Sequence, residues 1–98
     1  MSQTTAKLRT TQLLQIGVAI AAESGFLALD CYSVAARAGV HHNLVRRYLG
    51  RRDVLHSRVA MAAYAAQLAG ADDLITTRVV CEAQTLGILH RALGARLA

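Results

Sequence analysis

Proline and tryptophan do not occur in the chain, phenylalanine occurs once, and cysteine occurs twice. Without proline there is no obligatory helix breaker, so glycine has to supply the punctuation. Few aromatic residues against abundant leucine and alanine argue against a sandwich or barrel. Cys31 and Cys81 stand too far apart for a paired metal or redox motif. They read as small buried apolar residues of a reducing compartment. Acids are scarce too, six against eleven bases, and none falls between Asp30 and Asp53. No run reaches the roughly eighteen apolar residues that would span a bilayer. Lys7 and Arg9 ahead of the apolar stretch 13–22 sketch a secretory leader. Gln15 and Gly17 interrupt that stretch and a coherent helical pattern follows, so it is expected to belong to the domain.

What remains is a 98-residue chain that is 54% hydrophobic. That suffices for one core, although a chain of this size buries only about 60% of its unfolded surface, so a second copy would help. The fold class expected is all-α. A helix-turn-helix head over residues 1–52 is followed by a helical dimerisation region over 53–98, the two forming one compact domain. Glycines at 25, 39, 50 and 70 separate the segments. The first helix is expected over 5–24. Asp30 is a good N-cap for a short second helix ending at Ala38, and a third runs from His42 to Leu49. Asp53 opens a fourth helix, where its charge suits the first turn. Asp72 and Asp73 open a fifth, expected to continue nearly to the C-terminus.

Charge is concentrated in one place. Arg37, Arg46, Arg47, Arg51, Arg52 and Arg58 share a window with the single acid Asp53, and that window carries the whole formal net charge of +5. A local basic patch on a folded unit suits a polyanion, and arginine forks onto phosphate or guanine. Within the window, Ala35, Gly39 and Val45 have helix-turn-helix spacing. Two helices meeting at a short turn need a small residue at the crossing and one tolerant of positive φ in the bend. On the third helix His42, Asn43, Arg46 and Arg47 share an arc of about 140°, opposite Leu44, Val45, Tyr48 and Leu49. Arginine reads guanine and asparagine reads adenine, so this arc is expected to enter a major groove. A solvated basic face is the plainer alternative.

The stretch with Glu23-Ser24-Gly25-Phe26, then Val34-Ala35-x-x-Ala38-Gly39-Val40, then Tyr48-Leu49-Gly50 and Arg52 before Asp53 and Leu55 resembles the N-terminal DNA-binding domain of TetR-type repressors. The resemblance covers roughly residues 9–60. Asp30 stands where that family usually has threonine, and His41 where it has a capping serine. Arg46 stands in place of a phosphate-contacting tyrosine, and Leu49 in place of a phenylalanine. It implies a regulator that blocks transcription by occupying an operator. The residues after the motif are too few for the family's large inducer-binding domain, so no small-molecule inducer is expected. The form resembles small plasmid or phage repressors with a short dimerisation arm.

The expected site follows. His42, Asn43, Arg46 and Arg47 contact bases, while Arg37, His41, Tyr48, Arg51 and Arg52 contact phosphates, joined by Lys7 and Arg9 from a flexible arm. The dimer interface is expected at Val79, Ala83, Leu86, Gly87 and Leu93. A twofold dimer would present paired third helices to a palindromic operator of double-stranded DNA, half-sites about 34–36 Å apart or a multiple of that. A cytoplasmic, nucleoid-associated protein without cofactor, metal or membrane partner is the corollary. No enzymatic constellation is visible, since the serines lack a nucleophile elbow and the histidines lack ligand spacing. The competing class is an interaction module whose basic face meets an acidic protein.

Overall fold

The structure, a computed structural model, describes the backbone of residues 2–97 and the side chains of residues 5–94. These residues form six α-helices and no strand: α1 (Ser2–Ser24), α2 (Cys31–Ala38), α3 (His42–Leu49), α4 (Arg52–Leu68), α5 (Leu74–Thr85) and α6 (Ile88–Leu97). A single 3-10 turn, Phe26–Ala28, joins α1 to the loop before α2. The helices fold into a body of 32 × 28 × 25 Å.

Helix α1 packs against α2, α3, α4 and α5, which makes it the axis of the molecule. Its inward residues Leu13, Ile20 and Ala21 join Phe26 and Leu29, then Val34, Ala35, Val45 and Leu49 from α2 and α3. The same cluster takes in Leu55, Val59 and Ala63 of α4, Val79, Val80 and Ala83 of α5, and Ile88 and Leu89 of α6. One core therefore runs through both halves of the chain. Gly17 lets α1 and α4 approach closely, since a Cβ there would lie 2.7 Å from Val59 Cγ2. The glycine that seemed to interrupt an apolar run is a packing residue.

The fifth helix departs from expectation. It ends at Thr85, and a separate α6 begins at Ile88. Gly87 has a φ of 76°, a left-handed conformation that stops an α-helix and that glycine adopts without strain. The apolar period carries on across the break, which is why sequence alone joined the two. The flexible arm is also corrected: Lys7 and Arg9 lie within α1. No helix among the described residues is long and apolar enough to cross a membrane.

Candidate nucleic-acid interface

The α2–α3 pair is built by capping at every end. Asp30 Oδ1 accepts the Ser33 N–H at 2.8 Å and Ser33 Oγ accepts the Asp30 N–H at 3.0 Å. This reciprocal box satisfies donors that a helix start leaves orphaned. Gly39, with φ 72°, ends α2, and the Val40 N–H returns to the Ala35 carbonyl at 3.1 Å. Helix α3 is capped by His41, whose Nδ1 accepts the Asn43 N–H at 3.1 Å. That nitrogen needs its lone pair for the cap, so the ring proton sits on Nε2.

At the other end of α3, the Gly50 N–H reaches the Arg46 carbonyl at 2.8 Å, and Arg58 Nη1 donates to the Tyr48 carbonyl at 2.6 Å. The Cys31 thiol donates weakly to the Gly50 carbonyl at 3.5 Å. Burial pushes that thiol above its ordinary pKa; the nearby Arg46 charge opposes the shift and Asp30 adds to it. Helix α3 is thus tied at both ends to its surroundings.

Val45 and Leu49 are fully buried (0% exposed) and anchor α3 on the core. Asn43, Arg46 and Arg47 are exposed. None of these three side chains makes a hydrogen bond or ion pair within the described residues, where Arg37–Glu23 is the one ion pair. His42 is half-buried and its ring contacts two others: Tyr32 at 4.5 Å between centroids and His41 at 4.3 Å. Tyr48 is half-buried against the core.

The arginines divide. Arg37 Nη2 donates to Glu23 Oε2 at 2.7 Å, and Arg52 Nη2 to the Leu27 carbonyl at 2.8 Å. With Arg58 on Tyr48, three of the window's bases are spent on the protein itself. Arg51 is exposed just before α4. Arg9 and Arg37 line one shallow depression between α1 and α2, with Gln12, Ile16 and Ala38. Lys7 is exposed on α1.

The expected dimer residues need correcting. Val79 and Ala83 are 0% exposed within a single chain, so they face its own core and have no surface to offer a partner. Gly87 sits in the α5–α6 break, and Leu93 packs part-buried against the core. Leu86 alone of the set presents a large apolar surface, at 47% exposure. The side chain of Leu97, which continues the same apolar period, lies outside the described residues. A concavity lies elsewhere, between α1, α4 and α6, walled by Leu14, Met61, Ile88, Ala92, Arg58 and Arg91.

Sequence reasoning missed four contributors. Tyr32 carries no positional signature. His56 Nε2 meets the Leu29 carbonyl at 2.7 Å while its ring lies edge-on to Phe26. Arg58 was counted with the basic patch but not as a tether. Glu82 Oε1 accepts the Phe26 N–H at 2.8 Å, a contact between α5 and the 3-10 turn that no local pattern announces. No known family model, curated protein or solved structure matches the chain.

Proposed function

We propose that the chain is a sequence-specific DNA-binding regulator, a repressor of the TetR-like kind in miniature, which binds an inverted-repeat operator as a homodimer. One observation carries the reading. Helix α3 buries Val45 and Leu49 while Asn43, Arg46 and Arg47 point to solvent with no partner in the described residues. Side chains able to fork onto guanine and adenine then sit together on a rigid, doubly capped rod. Arg51 is the nearest uncommitted base for a phosphate, and Arg37 and Arg52 would have to release a protein acceptor first. Phosphate contacts set register and base contacts set sequence choice. The partner copy would meet the chain through the surface around Leu86, since Val79 and Ala83 are already covered.

Selection of bound sequences from a random duplex library tests this directly. An enriched inverted repeat, with half-sites about one helical turn or a multiple of it apart, is the expected result. Salt-sensitive retention of every duplex without enrichment would sink the sequence-specific reading. Preferential capture of acidic proteins with no duplex retained would replace it by the interaction-module class.

A further inference from the structure

Tyr32 is 65% exposed on the first turn of α2. A single exposed aromatic is ordinary on a protein surface. This one is not idle, because its ring lies across the α2–α3 junction against His42, centroids 4.5 Å apart and planes 30° from parallel. That is the near edge of the distance range in which aromatic pairs attract. His42 in turn meets the His41 ring at 4.3 Å and 29°, and His41 is held by the hydrogen bond from the Asn43 N–H to its Nδ1. A continuous chain of contacts therefore runs from Tyr32 through two imidazoles to the first turn of α3. His42 is the first residue of that helix.

We propose that Tyr32 is a positioning residue for His42, holding its imidazole in one orientation on the face of α3 that carries Asn43 and Arg46. The inference rests on the DNA reading above and deepens it. A side chain already immobilised loses less freedom when it meets a base edge, so the preference at that base pair rises. Tyr32 supplies this without contacting the base. The expected contribution is about three- to tenfold in selectivity at the base pairs facing the start of α3.

The test uses Tyr32→Leu, Tyr32→Phe, His42→Ala and the Tyr32→Leu/His42→Ala double variant, with two readouts. The first is the proton NMR spectrum of the histidine rings in the free protein. Both neighbouring rings shift the His42 signals upfield; Tyr32→Phe keeps the full shift, and Tyr32→Leu moves the signals downfield by Tyr32's share while His41's share stays. The second is affinity for the selected duplex and for copies altered one base pair at a time. Tyr32→Leu loses the selectivity, Tyr32→Phe retains it, and in the His42→Ala background Tyr32→Leu has no further effect. His42 signals unmoved in Tyr32→Leu overturn the proposal whatever the DNA data show. An equal loss from Tyr32→Leu in the His42→Ala background also overturns it, because Tyr32 then acts on its own. If the ring signals move as expected but wild-type protein shows no preference among duplexes, the DNA reading falls and takes the selectivity role with it, while the ring contact stands.

Discussion

Two groups of arginine occupy the same short window and do opposite things. Arg37, Arg52 and Arg58 fold back on the protein, onto the Glu23 carboxylate and the Leu27 and Tyr48 carbonyls. Arg46, Arg47 and Arg51 extend into solvent without such partners in the described residues. The first group makes the scaffold and the second is available to a ligand. A count of charges treats the six alike, and half of that count is internal bracing. Net charge over a window therefore overstates the surface available to a polyanion.

The largest effect that separates the groups is expected at Arg46. Arg46→Ala should cost about 1–3 kcal/mol on the selected duplex and far less on random DNA. Its melting temperature should match wild type, as the side chain braces nothing. Equal losses on both duplexes would move Arg46 out of the base-reading role. Arg58→Ala should do the reverse. It deletes a charged donor to a half-buried carbonyl, so thermal or urea unfolding should show a loss of about 1–2 kcal/mol. A variant as stable as wild type would mean that α3 needs no tether at its end.

Next come Arg51 and Arg52, neighbours with contrasting assignments. Arg51→Ala should flatten the slope of log affinity against log salt by about one unit, and leave stability untouched. Arg52→Ala should leave the slope nearly as it was and cost about 0.5–1 kcal/mol of stability through the Leu27 contact. Exchange of those two outcomes in equilibrium titrations would dissolve the division. The smallest effect belongs to Glu23. The hydrogen bond from Arg37, and then its charge, hold the Glu23 carboxyl below its usual pKa. A depressed carboxyl stabilises the fold above the ordinary carboxylate range and loses that contribution as pH falls through the lowered value. Melting curves of wild type and Glu23→Gln should differ slightly at neutral pH and converge in acid. A gap that widens in acid would contradict the sign.

How much of this was legible depends on whether a contact has a side chain at both ends. The α2 and α3 boundaries were readable because Asp30 caps, Gly39 turns, and α3 alternates apolar and polar faces within a few residues. Asn43, Arg46 and Arg47 were placed outward by the same helical period, which requires only that Val45 and Leu49 face in. The split among the arginines was not readable. Two of the acceptors are backbone carbonyls, and any residue at 27 or 48 would present one. The α5–α6 break was hidden for a different reason. Val79, Ala83, Leu86 and Leu93 keep helical spacing through Gly87, so periodicity outvoted the glycine. Val79 and Ala83 dropped out of the expected dimer face for a related reason, because an apolar stripe does not say whether it covers its own core or a neighbour's. Tyr32 lay outside any pattern, since its partner His42 sits on another helix.

The bond between Glu82 and the Phe26 N–H has a consequence for how the chain matures on the ribosome. Every residue of the α2–α3 bend emerges before residue 82 does, so the segment leading into that bend spends part of synthesis with the amide at 26 lacking its acceptor. The N-terminal helices are therefore finished from behind, by a carboxylate delivered late. A nascent chain halted before α5 should exchange that amide's hydrogen quickly, and release of the full chain should protect it.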